Sequence, residues 1–502
     1  MQEDKADDRV IVIQSHLLRQ GTVFIYVLAT LAALLADHTN HMRMANRSHS
    51  DKSRKTLTLF NYDWDAIEFE KLGRQWPHVN AGFDLFSFPS NARLAWFDMD
   101  RFCNLAAVKA RVHGASGVVS NHEQFGALCA ALLAETMQWP GTPVEAVLSC
   151  QHKLYAREVL QRVAPEANVA FCRLETEYGG DIPEGLTYPT FVKPVKAAFS
   201  VLSRRVHSHQ ELVEHTRFGP WELWVIRHLV EPFEKIMQRR LPAAGSAHSL
   251  MLEAPQRGRQ YCLDGYFFEG RLHSLGVVDA IMYPGTDAFM RFDYPGHLPE
   301  AARKQAEQIA ERFMQAIGFN HGFFNMEFIQ DERSGQIKVI EFNPRLASQF
   351  SDLYARVDGL NLHAMTMALS HGIDPAIVET QEPTANCASS FVYRSFDREA
   401  STPKPTPSGL HRFNKAYPDA LLFQFPKLSG QIQRDFKWLG SYRYGIIHLG
   451  GDDQDDLRRR CEHASALLSW PAPYVEDTAS LRGLRDLSHT WPSDAATENA
   501  YE

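Results

Sequence analysis

The sequence has no surplus of basic charge. Its 52 Lys and Arg stand against 60 Asp and Glu, a formal net charge of −8, so no broad positive field marks a nucleic acid or an anionic membrane as a partner. It has no CxxC pair, and its seven cysteines, among them Cys103, Cys150 and Cys262, form no tightly spaced framework. That argues against structural zinc and is the usage expected where thiols stay reduced, hence a cytoplasmic location. It lacks an apolar run long enough to cross a bilayer. The longest, Thr22 to Ala36, falls short of the roughly 20 residues required, and its acid-rich flank MQEDKADD is unlike a secretion leader. The run reads as an amphiphilic helix or an upstream extension, with no stable membrane insertion. Also missing are Gly-x-Ser-x-Gly, His-Glu-x-x-His and a nucleophilic Cys context, so the chain offers no obvious covalent nucleophile. Small molecules are the expected ligands.

What is present is ordinary globular composition, 502 residues with 44% hydrophobic and 22% charged, enough for about three domains. After an extension over 1–55 that ends in the polar linker NRSHSDKSRK, residues 56–150 read as a small α/β domain. Strands are expected at KTLTLFNYD, GFDLFSF and ASGVVS, with helices at DAIEFEKLGRQW, NLAAVKARVHG and HEQFGALCAALLAETMQW. Such alternation implies a parallel sheet. WPGTP (Trp139 to Pro143) breaks the rhythm before a helical CQHKLYAREVLQRVAP. Two strand-like pieces in PTFVKPVKAAFSVLSRRV precede a long helical stretch, then antiparallel strands with a hairpin at FFEGRL. EAARKQAEQIAERFMQAIG is amphipathic at a period of 3.6.

The most informative stretch is GFFNMEFIQDERSGQIKVIEFNPRLAS (Gly322 to Ser348). It reads as a hairpin that turns at DERSG. If Gln330 pairs with Gln336, Asn325 lies opposite Glu341 and Glu327 opposite Val339, which puts Asn325, Glu327, Glu341 and Asn343 on one face. Glu327 and Glu341 would then be diagonal neighbours, about 7–8 Å apart at the backbone. Two carboxylates that close repel and raise each other's pKa unless a cation lies between them. Oxygen donors with room for phosphate and water suit Mg²⁺, so one or two Mg²⁺ on a nucleoside triphosphate would fit. A solvent-facing polar hairpin is the plainer reading, and the hairpin alone does not decide. Pro344 then ends the strand and sends out Arg345, whose planar fork matches phosphate or carboxylate oxygens.

Asn-x-Glu on one strand followed by Glu-x-Asn-Pro-Arg on the next resembles the metal-binding end of the ATP-grasp superfamily, over roughly Thr56 to Trp470. The resemblance implies an α/β and α+β multidomain protein, an ATP-grasp fold preceded by a small parallel-sheet α/β domain. The grasp module would span 151–375, with a lid at about 180–250 and a metal-binding sheet at about 251–350. An α/β piece over 376–475 and a loose tail over 476–502 would follow. By position, Lys153 and Lys193 match the lysines that reach ATP phosphates. Ser200 matches the loop serine; VKAAFS lacks the glycines usual there, though Ala197 and Ala198 still allow a tight approach, and Lys196 reads as an exposed lysine, with an extra charge at the loop as the alternative. Glu253 and Gly258 match the nucleotide hinge, where Gln260 replaces a glutamate on the ribose. His152 reads as a helix-end or surface histidine, and Arg291 as a surface arginine in a substrate-facing region.

The resemblance further implies ATP-dependent carboxylate–amine ligation. Glu327, Glu341 and Asn343 would hold Mg²⁺ (Mn²⁺ as an alternative), Lys153 and Lys193 would steady phosphates, with Lys193 and Arg345 as the catalytic groups and Arg345 on the acyl-phosphate oxygens. Partners would be a small-molecule carboxylate and an amine, amino acids among them, with no nucleic acid; a homodimer is an open alternative. A kinase-like phosphotransferase and a non-catalytic nucleotide-binding regulatory protein are the other readings.

Overall fold

Thr56, Leu57, Thr58 and Leu59 of the first strand, β1 (Lys55–Leu59), are all buried, as in a strand that helices cover on both faces. The computed structural model describes residues 54–84, 93, 94, 96–197, 202–331, 333–397, 402–427 and 429–474. The N-terminal apolar run, Ser200 and the tail from 476 lie outside the described residues. β1 is joined by α1 (Asp63–Leu72), β2 (His78–Ala81), α2 (Met99–His113) and β3 (Ala115–Val119) in a three-stranded parallel sheet ordered β2-β1-β3. Of the strand expected over Gly82–Phe88, residues 85–88 lie outside the described residues, and β2 lies before it. β2 ends at Ala81 because Gly82 takes φ 118, where a Cβ would stand 2.8 Å from the Phe60 nitrogen.

α3 (Gly126–Met137) leads to α4 (Val144–Gln151) and α5 (Lys153–Val163). One helix was expected across Cys150–Pro165, but His152 breaks it with ψ 92 and caps α5, its Nδ1 accepting from the Tyr155 N–H at 3.1 Å. The histidine is therefore a helix-end residue, but it is fully buried rather than superficial.

A second sheet is antiparallel, ordered β4-β7-β5-β6, from β4 (Phe171–Leu174), β5 (Thr190–Pro194), β6 (Arg204–Val206) and β7 (Leu250–Glu253). Between β6 and β7 run α6 (His209–Thr216) and α7 (Pro220–Arg240). Val230, Phe233, Ile236 and Met237 of α7 share a core with Leu128 and Leu133 of α3, so this helix ties the second sheet's segment to the parallel-sheet domain.

The third sheet has eight strands, ordered β12-β11-β8-β9-β10-β13-β15-β14. Its first five strands in sequence are β8 (Arg259–Phe268), β9 (Arg271–Met282), β10 (Phe289–Tyr294), β11 (Gly322–Gln330) and β12 (Ile337–Asn343), with α8 (Glu300–Ala316) after β10. Glu269 and Gly270, both at positive φ, make the expected tight turn from β8 to β9. Phe324, Met326 and Phe328 of β11 pack against Ile309 and Phe313 of α8 and Val159 of α5. After β12 come α9 (Ser351–Asp358), α10 (Leu362–Ser370), β13 (Cys387–Ser395), α11 (Pro407–Ala416), β14 (Leu421–Gln424), α12 (Ser429–Leu439), β15 (Tyr442–Gly451) and α13 (Gln454–Leu468). The C-terminal segment mixes helices and strands, and its strands form no sheet of their own. β13 pairs with β10 and carries β15 and β14 onward in the same sheet. All seven cysteines are free thiols, and no helix among the described residues is long and apolar enough to cross a membrane.

Candidate active site

The ribbon of β11 and β12 does bring its polar side chains to one face, but by a different register. Gln330 pairs with Ile337, Phe328 with Val339, Glu327 with Glu341 and Asn325 with Asn343. The pairing skips Ile340, a β-bulge that places one extra residue on β12 and reverses the alternation beyond it. Val339 therefore packs into the core with Phe328, whereas Glu341 and Asn343 face the way Asn325 and Glu327 do. As a result Glu327 and Glu341 stand directly opposite each other, not on a diagonal.

Each polar group on this face has a partner. Gln260 of β8, expected toward a ribose, donates through Nε2 to Glu327 Oε2 at 2.9 Å. Asn343 Nδ2 donates to Glu327 Oε1 at 3.3 Å and to Asn325 Oδ1 at 3.2 Å. Asn325 Nδ2 in turn donates to Asp264 Oδ1 at 2.9 Å, and Tyr354 donates to the other oxygen of Asp264 at 2.9 Å. Glu341 pairs with the Lys153 ammonium at the start of α5. Burial, and then the charge of Glu341, push the Glu327 carboxyl up to about 8. Burial opposes ionisation of Glu341 as well, but Lys153 outweighs it and holds Glu341 below its usual range.

The second sheet meets this ribbon through Arg157 of α5, a guanidinium buried to 3% exposure. Its Nε donates to Glu253 Oε1 at 2.8 Å, and its Nη1 and Nη2 donate to the carbonyls of Val339 and Ile340 at 2.6 and 3.0 Å. Those carbonyls sit at the bulge, where the ladder is interrupted, and the arginine fork supplies donors there. Glu253, at the end of β7, takes Lys193 of β5 on its other oxygen at 2.6 Å. Burial works to raise the Glu253 pKa, but Arg157 and Lys193 bring it down to about 2. The Lys193 ammonium is held below its ordinary value by the same burial, which Glu253 only partly offsets.

The connection from β7 to β8 passes Gly258, whose φ is 128 and where a Cβ would lie 2.0 Å from the Gln330 carbonyl oxygen. Gly258→Ala is expected to cost about 1–3 kcal/mol in backbone strain alone. It should also displace Gln260 from Glu327, which a denaturant midpoint and a crystal structure of the variant would check.

At the far end of β12, Arg345 donates through Nη2 to Glu123 Oε2 at 2.8 Å. Glu123 follows β3, so the parallel-sheet domain reaches the site from the carboxyl end of its strands, where α/β sheets place their ligand crevices. The rest of the Arg345 guanidinium makes no hydrogen bond to a described residue. Tyr62 and His122 stack beside this pair with ring centroids 4.8 Å apart, and burial pushes the His122 imidazole down to about 3. A cavity of about 80 Å³ opens here, lined by Asn121, Ala131, Thr142, Phe323 and Arg345.

Lys153, Lys193, Glu253, Gln260, Glu327, Glu341 and Asn343 thus form one contiguous set, with Arg345 at its border; Ser200 is outside the described residues. Arg157, Glu123, Tyr62, His122 and Asp264 were not singled out from the sequence. Arg157, Glu123 and Asp264 act across more than 60 residues of chain, on Val339, Arg345 and Asn325, and Tyr62 meets His122 from 60 residues away; a single sequence carries no sign of such pairs. Arg291 is not a free surface arginine: it pairs with Asp293 at 2.9 Å and covers the Tyr474 ring.

A sequence-family model described as an ATP-grasp domain matches residues 186–352. A search of curated proteins finds no significant match. Among solved structures the chain is similar to an L-amino acid ligase from Bacillus licheniformis, at 16% identity and a TM-score of 0.61 over 83% of this chain and 98% of that one. It is similar to N5-carboxyaminoimidazole ribonucleotide synthetase from Thermus thermophilus, at 17% identity and a TM-score of 0.56 over 84% and 100%. Biotin carboxylase from Campylobacter jejuni follows at 14% identity and a TM-score of 0.52 over 82% and 91%. At such identities the likeness is one of fold. The ATP-grasp domain match covers the strands that carry Lys193, Glu253, Glu327 and Glu341, and the chain shares the fold of these ligases and carboxylases.

Proposed function

We propose that this protein is an ATP-dependent carboxylate–amine ligase. The observation that carries the reading is the single network in which two lysines, an opposed carboxylate pair and a border arginine meet at the junction of three sheets. It contains no serine, threonine or cysteine to serve as a covalent nucleophile. Catalysis here would be positioning and charge neutralisation, as phosphoryl transfer requires.

In the first step an oxygen of the substrate carboxylate attacks the γ-phosphorus of ATP. The bond from that phosphorus to the β-bridging oxygen breaks, and ADP leaves with the electron pair. In the second step an amine nitrogen attacks the acyl carbon, the carbon–oxygen bond to phosphate breaks, and the nitrogen releases its proton, leaving an amide, ADP and phosphate. Lys153 and Lys193 steady the phosphates. The unbonded donors of Arg345 face the acyl-phosphate oxygens, with Glu123 fixing the guanidinium, and the second sheet with its following helices closes over the intermediate and excludes water. The cavity beside Arg345 would take the acid's side chain, and its volume favours a small one.

The residues fit a divalent ion. Glu327 and Glu341 supply two carboxylates, and Asn343 Oδ1 makes no hydrogen bond to a described residue. The raised Glu327 pKa marks a buried pair with less positive charge than it can use. No group of three or more His, Cys, Asp or Glu gathers among the described residues, so phosphate and water oxygens would complete the coordination, as Mg²⁺ commonly has it. Bound there, Mg²⁺, with Mn²⁺ as an alternative, would neutralise charge on the phosphates. The pairings seen for Gln260 and Lys153 hold the carboxylates in place until then. A cytoplasmic site of action is part of the same reading.

The test is a panel of amino acids and small acids offered with ATP and amines, read for ADP and, by mass spectrometry, for new amides. An amide formed in proportion to ADP is expected. ADP without amide from every acid offered, or a stable phosphorylated product, would overturn ligation.

A further inference from the structure

Lys196 lies two residues beyond β5 and, against the expectation of an exposed lysine, is buried to 2% exposure. Every other cation of the cleft has a carboxylate beside it: Lys153 has Glu341, Lys193 and Arg157 have Glu253, and Arg345 has Glu123. Lys196 has none. Its ammonium makes no hydrogen bond or ion pair with a described residue and stands only over the Phe233 ring of α7, 4.9 Å from the centroid. A ring face returns little of what an ammonium loses when it leaves water, so a protein that keeps this charge buried has a use for it.

The surrounding charges say where that use lies. Those acting on Lys196 are Glu123, Lys153 and Glu341, whereas Lys193 is dominated by Glu253 and Arg157 on the hinge side. Lys196 therefore belongs to the end of the cleft that holds Arg345 and Glu123. Burial pushes its pKa down to about 7, the state of an ammonium that lacks a counter-ion. The stretch after Lys193 reads VKAAFS, without the glycines that favour the closest backbone approach to a phosphate, and Lys196 is the cationic side chain within it.

We propose that Lys196 is a third phosphate ligand, one that binds the phosphoryl group in transfer: it takes an oxygen of the γ-phosphate of ATP and keeps it as that group passes to the substrate carboxylate. Its counter-ion is the substrate. This role rests on the ligase reading above and names a catalytic residue within it.

Calorimetry on the full chain would measure a non-hydrolysable ATP analogue and ADP, both with Mg²⁺, against the wild type, K196M and K196R. K196M should weaken the analogue at least ten-fold and leave ADP within two-fold, and K196R should recover part of the loss. Ligand-free K196M should melt no lower than the wild type, since the charge it removes has no partner; should methionine not be accommodated, K196Q makes the same comparison. Equal losses for both nucleotides, or no loss, would overturn the role. So would a ligand-free K196M that melts well below the wild type, because the Phe233 contact would then account for the burial. A wild type that binds neither nucleotide would instead sink the ATP-site reading itself, and Lys196 with it.

Discussion

Arg157→Met is expected to lower stability by about 3–5 kcal/mol, the usual result of removing one partner from a buried, hydrogen-bonded ion pair. The change strips Glu253 of one counter-charge and leaves the carbonyls of Val339 and Ile340 without their donor, each loss costing about 1–3 kcal/mol where water cannot replace it. Arg157→Lys should fall between, since an ammonium satisfies Glu253 but cannot span two carbonyls. A pH signature accompanies the loss. The Glu253 carboxyl lies near 2 in the folded chain against an ordinary 4.5, a depressed acid, so its contribution is fully present above about pH 4.5 and is lost as pH falls toward 2. At 1.36 kcal/mol per pKa unit that is on the order of 3 kcal/mol. With Arg157 gone, less charge holds the carboxyl ionised and acid unfolding should begin at a higher pH. Denaturant midpoints taken from pH 7 down to pH 3 would show both effects; an unchanged midpoint at pH 7 would mean that the bulge does not depend on the arginine.

Glu327→Gln should do the opposite to stability and the reverse again to activity. In the folded chain Glu327 holds its proton up to about pH 8, driven by burial and by Glu341, whereas an unfolded glutamate ionises near 4.5. For an acid whose pKa rises on folding, the penalty starts above the unfolded value, grows to about pH 8 and is constant beyond it. At pH 7 it amounts to about 3 kcal/mol, which the glutamine avoids while its carbonyl keeps one of the two acceptor contacts and its N–H needs the Gln260 or Asn343 amide to turn its oxygen toward it. The metal-free variant should therefore melt higher than the wild type at pH 7 and lose that advantage near pH 4. Turnover should fall by about 10²–10³-fold, the range seen when one preorganised electrostatic contact to a transition state is removed. A fully active variant would show that the reaction does not need the Glu327 charge, and one that melts no higher than the wild type at pH 7 would show that the fold does not bear that charge as a penalty.

The hairpin itself was legible from its alternation and turn, and so was the grouping of Asn325, Glu327, Glu341 and Asn343 on one face. Its register was not. A period of 2 carried through DERSG puts Val339 among the polar groups, and only the skipped Ile340 reveals that the ladder shifts; a bulge is held by tertiary partners, here Arg157, that local pattern does not contain. Lys193 and Glu253 were placed by order along the chain, but their ion pair and its link to β12 join positions 60 and 182 residues apart. Lys196 was misjudged because lysine is seldom buried, and what buries this one is Phe233 on a helix that begins 24 residues later. The union of the C-terminal strands with the large sheet was not legible, because it depends on which strand β13 meets, and a strand's own residues do not name its partner.

That union has a consequence for how the protein is made. β10 receives β9 early, but its other flank is closed only by β13, about 90 residues further along. At a translation rate of about 5–20 residues per second, the backbone of Phe289–Tyr294 is left unmated for roughly 5–20 s on the ribosome. A half-finished ladder is a template for aggregation. A nascent polypeptide stalled near residue 375 is accordingly expected to recruit chaperones, and one released there to precipitate, even though it contains the whole of the matched domain.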